Sequence, residues 1–261
     1  MNRKLWLMAV CTTLLAAAAS GQNAPAAGSN TDFAETCVRK GTQFINHHKP
    51  SEALKAFEQA SALQPDNEQA AIGQYISLVQ LNRTNDGAKV LDNWVAAKAD
   101  DPRRWLCKAM AEAESNQPEA ALKSFEKLTE LQPDEGANYV GKGEMLVALK
   151  RDGDALKAFD RAITLSPKNE AAWSDRGGVL LRLGKYDEAI RSYDQSIKLA
   201  PKWADPFYHR ACAYAGKGDQ TNALADLKKT IELQPSFKAE AVKEAGFKSL
   251  SSDPDFKKLT E

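Results

Sequence analysis

The chain has 261 residues, 43% of them hydrophobic and 27% charged, and its 35 Lys+Arg balance its 35 Asp+Glu to a formal charge of zero. That balance argues against a strongly basic surface of the kind that holds nucleic acid or an anionic membrane. Four cysteines are too few for a disulfide framework, while the apolar fraction is enough for a substantial core. The first segment, residues 1–21, reads as a signal peptide. Arg3 and Lys4 precede an uncharged run from Leu5 to Ala19, and Ala19-Ser20-Gly21 offers a small-x-small cleavage site. That run is shorter than the roughly 20 apolar residues of a spanning helix. Cleavage near residue 21 and a periplasmic or secreted product are therefore expected, with no stable membrane insertion afterwards; retention as an anchor is the alternative. Cys11 follows Val10, where a lipoprotein signal calls for a small residue. Residues 22–33 are small and polar and are expected to form a flexible leader. Cys37, Cys107 and Cys212 fall in three different expected helices and read as small buried hydrophobes.

From residue 34 onward the chain repeats. Pro133, Pro167, Pro201 and Pro235 stand 34 residues apart, each behind a leucine two residues earlier, and Pro65 lies two further steps back. The step that should fall at Ala99 is displaced, with Pro102 three residues late. Repeats counted from this spacing start at Ala34, Glu68, Pro102, Gly136, Glu170 and Ala204. Position 4 carries a ring in Trp105, Tyr139, Trp173 and Phe207. Position 8 is small in Gly41, Ala109, Gly143, Gly177 and Ala211, and position 20 is Ala or Gly throughout. Position 24 is bulky throughout: Phe57, Leu91, Phe125, Phe159, Tyr193 and Leu227. Two helices approach closely only where one presents little bulk, and rings beside the gap fill it. The spacing of Tyr186, Ala189, Ile190, Tyr193 and Ile197 is that of one helix face. No strand-type alternation appears, so no sheet is expected.

The 34-residue period with these small and aromatic positions resembles the tetratricopeptide repeat family. The resemblance implies an all-α fold, a right-handed α-solenoid of about six antiparallel helix hairpins over residues 34–237. The repeats are 34–67, 68–101, 102–135, 136–169, 170–203 and 204–237. Residues 238–261 depart from the pattern and are expected to cap the array, with one helix over Lys238–Phe247 and a short one from near Asp253. Two departures stand out. Position 7, leucine in the family, is Lys40, Gln74, Lys108, Lys142, Arg176 and Arg210, expected at a groove edge with stems packed and charges in water. The second repeat has Tyr75 at the small position 8 and Trp94 near its end, which implies a distorted hairpin or a contact site. The third has Glu112 where an apolar residue is usual.

In the family the first helix of each hairpin lines a concave groove, chiefly through positions 2, 5, 9 and 12. Carried over, these are Val38, Thr42, Ile45, Ile72, Ile76, Val79, Leu106 and Met110 in the first three hairpins. Val140, Glu144 and Val147 follow in the fourth, and Ser174, Leu181, Asp205, Tyr208 and Cys212 in the last two. The first three hairpins are the most apolar, which points to a partly apolar protein or peptide segment as partner; the alternative is that these residues pack against neighbouring helices or are covered by the leader. The Lys and Asn with which some family members grip a C-terminal carboxylate are absent from positions 5 and 9 of these three hairpins.

Catalytic and metal motifs are weak. His47 and His48 are adjacent in a turn and cannot share a helix face as ligands at i and i+4 do. His209 reads as a groove residue, and Asp100-Asp101 before Pro102 as a helix cap. No cofactor, small-molecule substrate or enzymatic activity is expected. The reading is an interaction scaffold or assembly factor. The alternatives are an enzyme or metal-handling protein framed on the array, or a self-associating structural protein.

Overall fold

The computed structural model describes residues 29–260; the expected signal peptide and the first part of the leader lie outside them. Every regular element among the described residues is helical. They fall into two compact units, one ending at Pro133 and one beginning at Asp134. The first holds three hairpins: α1 (Asn30–Asn46) with α2 (Pro50–Leu63), α3 (Glu68–Gln80) with α4 (Thr84–Ala96), and α5 (Pro102–Glu114) with α6 (Pro118–Leu131). The second holds α7 (Gly136–Ala148) with α8 (Asp152–Leu165), α9 (Glu170–Arg182) with α10 (Tyr186–Leu199), and α11 (Ala204–Lys217) with α12 (Gln220–Leu233). Within each unit the first helices of successive hairpins lie side by side.

The ends of these helices follow from short-range chemistry. Ser29 accepts from the Asp32 amide and Asp32 accepts in return from Ser29, a capping box that starts α1 at Asn30. The last residues of the expected leader are therefore helical. Asn67, Asp101, Asn169 and Asp219 cap later helices by a single side-chain bond to an amide of the first turn, and Pro50, Pro102 and Pro118 sit in first turns, where no amide is needed. Each first helix stops at one repeated device. His48, Asn82, Asn116, Lys150, Gly184 and Gly218 all have positive φ, between 55° and 87°, and they recur at the repeat spacing. In each case paired backbone bonds, such as Lys49 N to Phe44 O and His48 N to Ile45 O, satisfy the last carbonyls of the helix.

Packing inside the hairpins is a glycine–ring contact. The Phe57 ring sits against Gly41, where an added Cβ would stand 2.7 Å from Cζ, and against Gly73 of the next hairpin. Phe159 on Gly143 and Tyr193 on Gly177 repeat the arrangement. The second hairpin inverts it. Its ring, Tyr75, comes from the first helix and is fully buried, and the second helix answers with Gly87 and Leu91. Glycine at position 20 supplies the space that position 8 lacks, with an added Cβ at Gly87 3.0 Å from Tyr75 Cδ2. Tyr75 Oη accepts a bond from Gln117 at 3.0 Å. Trp105 and Trp173, two of the four position 4 rings, donate to the carbonyls of Ala99 and Pro167, six residues back.

The terminal segment differs from the expected single helix. Helix α13 (Phe237–Lys243) stops early, a 3-10 turn runs from Ala245 to Leu250, and α14 (Pro254–Thr260) follows. Glu244 is extended and its carboxylate accepts from the Gly246 amide, which turns Phe247 inward. Phe237, Phe247 and Phe256 then cover Tyr208, Cys212 and Leu227 of the sixth hairpin. The Tyr208 ring lies 4.7 Å from Phe237 and 5.4 Å from Phe247.

Candidate protein-binding surface

The residues expected to line a groove divide into two groups. In the first unit, Thr42, Ile45, Ile76, Val79 and Met110 are half-buried, and Leu106 is 40% exposed. These residues give the face built by α1, α3 and α5 an apolar strip that water reaches. Val38 and Ile72 are not part of that strip. Val38 packs with Ala53, Phe57 and Ala70, and Ile72 with Trp94, Val95 and Cys107. In the first two hairpins position 5 points between neighbouring helices and fills the core, whereas Leu106 at the same position of the third is exposed. In the second unit Val140, Glu144, Val147, Leu181 and Asp205 are half-buried, whereas Ser174, Tyr208 and Cys212 are buried. Tyr208 and Cys212 are enclosed by the terminal segment, whose aromatic residues lie outside the repeat and could not be counted in its periodicity.

The position 7 cations form something the sequence reading did not anticipate. Lys108 pairs with Asp92, and Arg176 Nε with Asp160 at 2.7 Å. Arg210 pairs with Asp194 at 2.5 Å and, through two nitrogens, with Asp226 at 2.7 Å. In all three cases the first carboxylate lies 16 residues earlier, on the second helix of the preceding hairpin. These side chains are not cations left in water at a groove edge. They bridge successive hairpins, and Lys108 is itself buried. Gln74 holds the same position and bonds Ser61 and the Phe57 carbonyl instead. The signal was present as aspartates one half-repeat upstream of Lys108, Arg176 and Arg210.

The junction of the second and third hairpins has an additional pin. Arg104 is buried, lies 4.9 Å from the centre of the Trp94 ring, donates to the Trp94 carbonyl and reaches Asp66 at 2.9 Å. Bonds from Arg104 and Lys98 hold the Asp66 carboxyl down at about 2. Close by, Glu112 is 3% exposed, accepts from Ser124 at 2.7 Å and faces Lys108 at 3.8 Å. Burial pushes its pKa up, against the pull of Ser124 and Lys108, and Asp92 adds to the rise. The folded chain thus keeps this proton at pH values where the unfolded chain has lost it, so ionising Glu112 costs stability as pH climbs above the ordinary glutamate value of 4.5. Glu112→Gln should match the parent near pH 4 and exceed it near pH 8 in urea midpoint. An equal gap at both pH values would show that Glu112 ionises as freely in the folded chain as in the unfolded one.

Among the described residues no group of His, Cys, Asp and Glu is placed to hold a metal ion, and no helix is long and apolar enough to cross a membrane. His47 and His48 lie exposed in the α1–α2 turn, and His209 is exposed beside the Tyr193 and Tyr208 rings. Cys37, Cys107 and Cys212 are unbridged. Cys107 donates to Glu68 at 3.2 Å, and burial pushes the Cys212 thiol up.

Comparison with known proteins bears on these observations. Tetratricopeptide repeat models match consecutively at residues 107–170, 170–203 and 204–237. A search of curated proteins by sequence gave no match. Among solved structures, YrrB, described as a TPR protein with an unusual peptide-binding site, is 23% identical, with a TM-score of 0.55 over 73% of this chain and 100% of its own. PilF of Pseudomonas aeruginosa is 14% identical, with a TM-score of 0.55 over 81% and 99%. MamA of Desulfovibrio magneticus RS-1 is 18% identical, with a TM-score of 0.54 over 81% and 98%. At these identities the likeness is one of fold. The three consecutive matches, with the glycine–ring hairpins and the recurring left-handed turn, show that the chain belongs to the tetratricopeptide repeat proteins.

Proposed function

We propose that this chain is an exported interaction scaffold or assembly factor that binds a partly apolar segment of a partner protein along the face of α1, α3 and α5. The observation that carries the proposal is the half-buried strip of Ile45, Ile76, Val79 and Met110 with Leu106 exposed at 40%. An apolar strip open to water on a soluble repeat surface favours an amphipathic or extended partner. The peptide-binding site named for YrrB supports a peptide or protein as the class of ligand. The missing Lys and Asn clamp argues against a partner held by its terminal carboxylate. Export rests on the charged start, the apolar run and the small residues of segment 1–21.

The test is a pull-down from the native compartment, comparing the parent with the Ile76→Glu, Met110→Glu double variant. Both residues are half-buried, so far-UV circular dichroism should first show the helices intact. The double variant is expected to lose the parent's partners. Retention of the same set would remove this face as the binding surface.

A further inference from the structure

The terminal segment closes the sixth hairpin and leaves a hollow on its own outer side. Counted at the repeat spacing, residue 238 stands where a seventh first helix would begin. The chain instead leaves the helix after Lys243, turns at the extended Glu244 and sends Phe247 inward. The break leaves a hollow of about 220 Å³ walled by α13, the 3-10 turn and α14. Ala241, Phe247 and Phe256 form its apolar floor, with the two rings 5.9 Å apart. Val242 lines it too and is 62% exposed, the most exposed large hydrophobic side chain among the described residues. Small-molecule sites run to roughly 300–1,000 Å³, so this hollow suits one side chain better than a cofactor.

The charges around it are unevenly matched. Lys243 and Lys248 are exposed and line the hollow, and Lys238, Lys257 and Lys258 lie on the same segment. None of these five makes an ion pair among the described residues, whereas Lys98, Lys108, Lys185 and Lys217 of the repeats do. Glu244, the carboxylate at the rim, is turned onto the Gly246 amide. Asp253 is likewise held by the amides of Asp255 and Phe256. Glu240 and Asp255 are exposed and do not line the hollow.

We propose that this hollow docks a short acidic segment of a partner protein, with one apolar side chain entering beside Val242 and Ala245 and flanking Asp or Glu side chains meeting Lys243 and Lys248. Val242 is left in water by the fold, and covering it with an apolar group is favourable. Lysines without a counter-charge attract an acidic segment and fix its register. They also discriminate against a basic one, which would set like charges together. The site belongs to the second unit and shares no residue with the apolar strip of the first, so it stands or falls independently of that strip.

The experiment selects binders to the whole chain from a displayed library of random short peptides, then measures their affinity for three variants. Lys243→Glu, Lys248→Glu reverses the rim. Ala245→Trp, at an exposed lining position, puts a ring into the hollow. Ile76→Glu, Met110→Glu marks peptides that lie on the strip of the first unit instead. The residues changed in the first two variants are exposed, so their thermal midpoints should match the parent's. A set of peptides with Asp or Glu around one apolar residue is expected. Their binding should weaken about 10-fold on rim reversal, the scale of two exposed ion pairs, and at least as much on Ala245→Trp. It should also fall as salt is raised and ignore the third variant. Failure to recover such a set would overturn the proposal. So would a set lost on rim reversal but indifferent to Ala245→Trp, which would make the lysines a patch without a pocket. A dimer in light scattering that Ala245→Trp dissociates would put a second copy in the hollow. Sedimentation with phosphatidylglycerol vesicles that rim reversal abolishes would put a membrane there, and either result would overturn the peptide.

Discussion

Arg210→Leu is expected to destabilise the folded chain by about 3–5 kcal/mol, the cost of leaving a buried charge without its partner. Asp226 is the charge at stake. Its side chain is 10% exposed and takes two bonds from Arg210 at 2.7 Å. Asp194, the other partner, is 44% exposed and can return to water. Arg210 also lies 5.6 Å from the Phe207 ring centre and 5.9 Å from that of Tyr214, so leucine fills part of the space and the loss is chiefly electrostatic. The double variant Arg210→Leu, Asp226→Leu should recover most of the stability, because an apolar pair of similar size replaces a buried ion pair at little cost. Urea unfolding followed by circular dichroism measures both. A double variant no better than the single would show that packing, and not the stranded carboxylate, sets the loss.

Gly143→Leu is expected to cost about 1–3 kcal/mol by overpacking. The Cβ alone would stand 2.7, 2.8 and 2.9 Å from three atoms of the buried Phe159 ring, closer than two such carbons can lie. Either ring or helix has to move. Gly153 is the matched control: a Cβ there has nothing within 4 Å, so Gly153→Ala should be neutral or slightly stabilising. The second hairpin suggests a rescue, since it closes with its ring on the first helix and a leucine at position 24. Adding Phe159→Leu to Gly143→Leu should restore part of the midpoint. A single variant as stable as the parent would mean that the fourth hairpin is not closed by this contact.

The hairpins were legible because their signals are local or strictly periodic. Prolines at a fixed step state a backbone requirement, and glycine or alanine facing a ring states a packing one. The exposure of position 5 was not legible. Val38 and Ile72 lie on first helices that are touched by their own partner helix and by the neighbouring hairpin, and periodicity does not separate these contacts. Tyr208 and Cys212 needed knowledge of a segment outside the period. Lys108, Arg176 and Arg210 read as solvated charges because their carboxylates belong to other helices, and only the stacking of hairpins brings them together. His48 and Lys150 adopt the left-handed turn without the residue types that announce it.

The ion pairs between hairpins also bear on how such a chain can lengthen or shorten over evolutionary time. The joints at Lys108, Arg176 and Arg210 are each specified by an offset of 16 residues between a basic side chain and an aspartate one hairpin back. Excising residues 170–203 as a block would set Arg210 at that same offset from Asp160, which now serves Arg176. The left-handed turn at Gly218 would likewise fall one step after Lys150. A loss or duplication of that block therefore reproduces a working joint without further change, whereas an excision of another length across a joint breaks its 16-residue offset. The electrostatics thus act as a standard coupling that makes repeats of this chain exchangeable, and they favour gain and loss in whole units over gradual drift in length.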